Sequence, residues 1–288
     1  MRHRALSHSI LVVASLLVCA SMALAQGTQQ AGEPKVSNWG YQAEGPSPEL
    51  PPLDSRAPFD AHNFSGVWLT DHRGTNGFRT MTDEADTPPR TAWAQEVYLS
   101  RKTARPHKGK EAVEPAFGND PIMQCNPKGL VRLFMYTNPA EFVHTAAGDR
   151  MLMTFQSQGS TRTIWMDGRE LPSYPEPRWN GYSVGRWEGD TLVVDTIGFD
   201  DRAWLDQYGN VYSTDMRLEE RWRRVDRDTL EAVFRIDDPT SYTRPWVSTT
   251  KVWKRQAYEL REEFCAPMDE TFFNEVVRDP AGGVIAPQ

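Results

Sequence analysis

Asp195, Tyr182, Arg162 and His144 are the side chains whose types allow acid–base chemistry if the fold brings them together. A carboxylate and an imidazole can pass a proton near neutral pH, while a phenol and a guanidinium steady the charge that develops. That set suits a cofactor-independent lyase, hydratase or isomerase. A second group lies in the segment 198–215, where Asp200, Asp201 and Asp206 crowd beside Trp204 and Tyr208. Carboxylates walled by aromatic rings suit sugar-cleaving or hydrating sites, in which one acid stays protonated while its partner is ionised. The same segment also reads as a solvated acidic loop whose aspartates cap turns and pair with Arg202. For binding rather than turnover, the candidates are Glu141 with the aromatic side chains Trp165, Trp187, Trp204 and Tyr208.

Other chemistries find little support. No Gly-x-Ser-x-Gly occurs, and Ser183 and Ser213 sit in ordinary strand or loop context. Beyond the N-terminal 25 residues the histidines are His62, His72, His107 and His144. None has His-x-His or His-x-x-x-His spacing, so no metal is expected. No cofactor is expected either.

The elements that must position these residues are hairpins. Residues 181–199 place two β-rich runs around the turn Glu188-Gly189-Asp190, and residues 221–236 repeat the plan around Asp226-Arg227-Asp228. Further strands are expected at Phe64–Leu69, Arg132–Tyr136, Glu141–Thr145, Met151–Gln156, Thr161–Met166, Val247–Lys254 and Tyr258–Cys265, giving about ten in all. Asp167-Gly168 is a two-residue hairpin signal. Pro172, Pro175 and Pro177 keep the next connection out of any central strand. Such a series predicts an all-β fold, an antiparallel meander closing into a lipocalin-like β-barrel, with a β-sandwich as the alternative.

Alternation then assigns faces. Arg162, Ile164 and Met166 oppose Thr161, Thr163 and Trp165; Phe142 and His144 oppose Glu141, Val143 and Thr145; Leu192 and Val194 oppose Val193 and Asp195. Both faces mix polar and apolar groups, as in a barrel with a part-polar lumen. Glu141, Arg162, Tyr182 and Asp195 are the candidates for its interior, and an internal salt-bridge network is the alternative use for them. The charges along Arg217–Arg224 read as a solvated face.

Residues 26–60 are polar and proline-rich and read as an extended arm or linker. Residues 61–288 read as one β-barrel domain with an insertion at about 71–130. A helix is expected at Thr91–Lys102, capped by Thr91 with Trp93 and Val97 on one face, and another at Glu270–Arg278.

Two resemblances follow from quoted residues. Gly66-Val67-Trp68 resembles the Gly-x-Trp that opens lipocalin-like (calycin) barrels, in which the tryptophan closes one end. Gly118-Asn-Asp-Pro121, Cys125-x-Pro-x-Gly129, Ile164-Trp-x-Asp-Gly-Arg169, the run WEGDTLVVDT at 187–196 with Gly198-Phe199, and Thr243-x-Pro-Trp246 are similar to segments of a group of exported bacterial proteins. That resemblance implies export and fold and brings no activity with it. Members often carry a histidine-serine pair ahead of the strand starting near Met216, where this chain has Tyr212-Ser213.

The N-terminus supports export. Arg2 and Arg4, an apolar run from Ile10 to Ala20, and Ala23-Leu24-Ala25 predict a signal peptide cleaved after Ala25 and a periplasmic or secreted protein. Leu16-Leu17-Val18-Cys19 offers a lipoprotein signal instead, but Val18 stands where a small residue is wanted. No other run is long and apolar enough to span a membrane. Of the three cysteines, Cys125 and Cys265 then remain, a disulfide pair in an oxidising compartment. Loss of Arg2 and Arg4 takes the formal charge from −7 to −9, which argues against nucleic acid as a partner. The first functional expectation is a binding protein for a small, largely apolar ligand held in the barrel. The enzyme described above is the second, and an envelope protein with a filled barrel and a protein partner is the third.

Overall fold

The computed structural model describes residues 58–71, 80–82, 86–105, 107, 110–114, 117–136, 138–263 and 265. The signal peptide, most of the 26–60 arm, His72 and the helix expected at Glu270–Arg278 lie outside these residues.

The strands are β1 (Gly66–Thr70), β2 (Ala140–His144), β3 (Arg150–Phe155), β4 (Thr161–Trp165), β5 (Tyr182–Glu188), β6 (Thr191–Ile197), β7 (Arg217–Asp226), β8 (Thr229–Asp237), β9 (Trp246–Val247) and β10 (Lys251–Gln256). They pair in the order β10-β1-β2-β3-β4-β5-β6-β7-β8, and β10 pairs with β8 to close a nine-stranded barrel. The two-residue β9 pairs with β8 alongside that ring. Both expected central hairpins form, β5–β6 across Gly189-Asp190 and β7–β8 across Arg227-Asp228.

The barrel is mixed rather than purely antiparallel. β4 and β5 run parallel, in register only at Ile164↔Ser183 and Trp165↔Val184. Asp167-Gly168 therefore does not turn the chain into a hairpin. The proline-bearing connection 166–181 carries it back to the end where β4 began, and a parallel strand needs such a crossover. Gly181 ends that crossover with φ +65°; a Cβ there would meet Thr196 Cγ2 at 2.6 Å and the Ile197 carbonyl at 2.9 Å. Gly181→Ala is expected to destabilise the protein by about 2 kcal/mol or more in urea titrations, and a loss below about 0.5 kcal/mol would contradict the packing.

The segment Arg132–Tyr136, expected as a strand, lies mostly in a short helix, α2 (Leu130–Phe134), and all five of its residues are buried. A run apolar on every side suits a fully enclosed helix as well as a buried strand, and periodicity cannot separate the two. Phe134 packs into the core, stacked on Phe234 at 4.6 Å and edge-on to Trp222 at 5.6 Å. Trp222 and Trp253 pack at 4.8 Å, and Phe142, Phe155, Met151 and Met153 join the same cluster. The interior is thus occupied by side chains. Trp68 is fully buried and donates its indole N–H to the Phe64 carbonyl at 2.8 Å.

Helix α1 (Ala92–Ser100) is capped as expected, Thr91 Oγ1 accepting from the Ala94 N–H at 3.2 Å. Its buried face, however, is Ala94 and Tyr98, while Trp93 is 43% exposed. The helix docks through Tyr98 against Val211 of the β6–β7 loop, and that contact, absent from any local pattern, fixes its rotation. Tyr258–Cys265 forms no strand over its described residues, which follow β10 as an irregular segment. No helix among the described residues is long and apolar enough to cross a membrane.

Candidate functional site

The strand faces sort the expected residues into three places. Arg162 alone of the four interior candidates is inside. Its guanidinium grips Glu220 of β7 through two hydrogen bonds of 2.7 and 3.1 Å, and Trp222 Nε1 donates to the same carboxylate at 2.8 Å. Glu220 is itself fully buried, so the charge-rich Arg217–Arg224 run is not a solvated face throughout. Leu218, Glu220, Trp222 and Arg224 form its buried row.

Glu141, Tyr182 and Asp195 lie on the outer face. Glu141 shares its row with Val143, which is 41% exposed, while its neighbours Ala140 and Phe142 point to the core. Asp195 pairs with Arg186 across the β5–β6 hairpin. Tyr182 Oη accepts from Arg169 Nη1 at 3.1 Å. Trp165 is also outside, with Arg169 at 3.6 Å and Arg150 at 4.9 Å from its ring centre. The quartet Asp195, Tyr182, Arg162 and His144 is therefore not assembled. Period-2 alternation separated the rows but left open which row faced inward; the Phe142, Ile164 and Val194 packing decides that.

His144 and Trp187 do meet. Both belong to core-facing rows and emerge at the end of the barrel where β1 begins. There they line a cleft of about 400 Å³ with Asp60, His62, Asn63, Ser65, Gly148, Arg150 and Met166. The cleft exists because β5 runs four residues past its last pairing with β4, leaving Trp187 beyond Met166.

Local structure presents the histidines. Arg224, inward and nearly buried, donates to the Asp60 and Asn63 carbonyls and so fixes the turn carrying His62. Asp60 Oδ1 accepts from the His62 N–H at 2.9 Å. The His62 ring stacks on Trp187 at 4.1 Å and 16°, and Phe64 meets Trp187 edge-on at 5.5 Å. His62 Nε2 lies 3.0 Å from the Gly189 carbonyl, which can only accept, so Nε2 carries the proton and Nδ1 of the neutral ring is an acceptor. His144 is the reverse. Its Nε2 accepts from the Phe64 N–H at 3.2 Å, which places the proton on Nδ1. That Nδ1–H has no partner among the described residues.

Burial holds the His144 imidazole below the usual histidine range, with Asp60 pulling weakly the other way. The fold thus disfavours the proton. The stability linked to this ring is present above the ordinary histidine value and is lost as pH falls below it.

Asp60, His62, Asn63, Ser65 and Arg150 were not singled out for this cleft by sequence. His62 carries a weak signal, since it precedes β1 closely, but its partner across the barrel is 82 positions away in His144. The remaining expected residues lie at the opposite end. Trp204 is buried with Arg101 and Arg132 at 5.5 and 5.8 Å from its ring centre, and Tyr208 stacks on His107 at 4.4 Å. Among the described residues no group of three His, Cys, Asp or Glu side chains is placed to hold a metal ion.

Cys125 and Cys265 are joined as a disulfide, with Cα atoms 5.5 Å apart. No family model, no curated protein and no solved structure matches this chain.

Proposed function

We propose that this protein, exported from the cell, binds a small molecule in the rim cleft rather than inside the filled barrel. What supports this is the His144 Nδ1–H, a half-buried donor with no partner among the described residues, set in a cleft that Trp187 walls. A buried donor left unmade is unfavourable, and a ligand acceptor corrects it. The lining favours a compact molecule with one apolar face for Trp187 and Met166, an acceptor for His144, and a donor for His62. A largely apolar ligand would suit the lumen better, but Phe134, Trp222, Phe234 and Trp253 occupy it. The Cys125–Cys265 bridge supports export to an oxidising compartment.

A second reading rests on the opposite tautomers of His62 and His144. One imidazole that accepts and one that donates are the minimum for moving a proton across a bound substrate, as a lyase, hydratase or isomerase does.

Native mass spectrometry of protein taken from its own exporting cell, followed by solvent extraction, tests the binding. The expected result is a stoichiometric small molecule that is absent from Trp187→Ala. His144→Gln keeps an acceptor for the Phe64 N–H while removing Nδ1–H, and should weaken rebinding of the extracted compound about tenfold. Turnover of that compound, lost in the same variant, would favour the enzyme. Rebinding unaffected by either substitution would place the ligand elsewhere. A clean apo mass, with no response to the extract, would move the weight to a filled barrel with a protein partner.

A further inference from the structure

The β6–β7 loop reads as acidic, yet the fold surrounds part of it with cations. Arg90, Arg101 and Lys110, all from the insertion, converge on Gly209 and Asn210. Arg101 Nη1 donates to the carbonyls of Gly209 at 3.3 Å and Asn210 at 2.7 Å. Lys110 Nζ donates to the carbonyls of Tyr98 at 2.7 Å and Tyr208 at 3.4 Å. Arg90 Nη2 donates to Asn210 Oδ1. Arg90 and Lys110 both lie over the Tyr98 ring, 3.6 and 4.0 Å from its centre. A Cβ on Gly209, whose φ is +86°, would stand 3.2 Å from both Arg101 Cβ and Lys110 Nζ, so glycine permits the approach.

The charges do not balance. None of the three cations makes an ion pair among the described residues. Among the described residues the carboxylate beside them is Asp206, which is buried and already committed. Its Oδ1 accepts from the Tyr208 and Asn210 N–H groups at 2.9 and 3.2 Å, and its Oδ2 from Asn210 Nδ2 at 2.7 Å. Arg101 is 9% exposed and donates through Nη1 alone, leaving Nε and Nη2 without acceptors among the described residues. Arg90 Nε is buried and likewise unpartnered. Buried charges are ordinarily paired with opposite charge, and carbonyl dipoles with the Tyr98 and Trp204 π-faces offset only part of this excess.

The geometry points to a small-oxyanion site at this cluster, taking a carboxylate or phosphate group on the open donors of Arg101 with Lys110 beside it. It lies at the end of the barrel opposite the rim cleft and does not depend on it. Planar guanidinium donors and an ammonium point charge are the usual complement of such groups. Burial, then Arg101 and Arg90, depress the Lys110 ammonium to about 8, with Asp206 opposing. Tyr98, His107 and Tyr208 are the other titratable groups packed around Lys110. A bound oxyanion raises the Lys110 value again, so binding near pH 8 draws in a proton.

Isothermal titration near pH 8 with inorganic phosphate and, separately, acetate tests the site, in two buffers of different ionisation heat. Saturable binding of either anion with proton uptake is expected, and the two arms separate phosphate from carboxylate. Lys110→Met keeps the alkyl chain over Tyr98, removes the charge, and should weaken binding about tenfold or more. Lys102→Met, at an exposed neighbour, should leave it unchanged. If Lys110→Met does not fold, Arg101→Lys preserves charge but loses the open planar donors, with the same loss expected. No saturable binding of either anion to the wild type overturns the site. So does binding that survives the folded variant.

Discussion

Glu220→Gln is expected to destabilise the barrel by about 3–5 kcal/mol, because it strands the Arg162 guanidinium in the core. Arg162 is 3% exposed and Glu220 fully buried, so water cannot replace the lost charge. The pair is more than a local contact. β4 and β7 are separated by β5 and β6 around the ring, so the two hydrogen bonds span the interior as a crossbar. They also tie together the two sides of the shortest register in the ring, the two-residue parallel pairing between β4 and β5. The guanidinium carbon lies 5.7 Å from the Phe134 ring centre, so the α2 plug packs on the same charge. Replacing one partner leaves a buried charge, whereas replacing both with Met leaves only a packing change. The Arg162→Met/Glu220→Met double variant should therefore be more stable than Glu220→Gln. Urea unfolding resolves this, and hydrogen exchange should show the β4–β5 amides opening first in the single variant. A Glu220→Gln loss below about 1 kcal/mol would mean the pair is not desolvated in solution.

Removing the Cys125–Cys265 bridge is expected to lower stability by about 4–5 kcal/mol in the chain-entropy account, since it closes a separation of 140 residues. The bridge joins the turn after Pro121–Gln124 to the irregular segment that follows β10. Among the described residues, side chains at the same end of the barrel also reach that segment. The Gln156 side chain accepts from the Arg261 N–H at 3.1 Å, and Lys128 Nζ approaches Glu263 at 4.0 Å. Cys265→Ser should thus lower the urea midpoint strongly and expose the bonds beyond Gln256 to proteolysis before the barrel unfolds. Superimposable unfolding curves with and without a reducing agent would show that the cross-link contributes nothing. The change should leave the rim cleft intact, because its lining residues lie at the other end of the strands.

The hairpins were legible in local signals alone. Turn residues such as Gly189-Asp190 and the two-residue period of β5 to β8 are local properties, expressed wherever the segment finds a partner. The capped helix at α1 is local in the same way, because Thr91 bonds a neighbour three positions on. The cysteine pair was legible too, for with Cys19 assigned to an expected signal peptide the other two thiols leave one pairing. The remaining features waited on packing between segments far apart in the chain. The apolar run Leu130–Phe134 became a helix buried on every side because its Phe134 packs among the core aromatics contributed by β3, β7, β8 and β10. The crossover made β5 parallel to β4 although Asp167-Gly168 favours a tight turn. Asp195 and Tyr182 went outside because Leu192, Val194 and Ser183 took the inward rows. The two candidate sites show the same division. His144 and Trp187 were visible as residue types, but the cleft they share is made by where β5 overruns β4. The aspartates of the β6–β7 loop were visible as charge, but the three cations that the insertion packs against Gly209 and Asn210 were not. Side-chain chemistry is written residue by residue, whereas the sign of a site depends on what the fold packs against it.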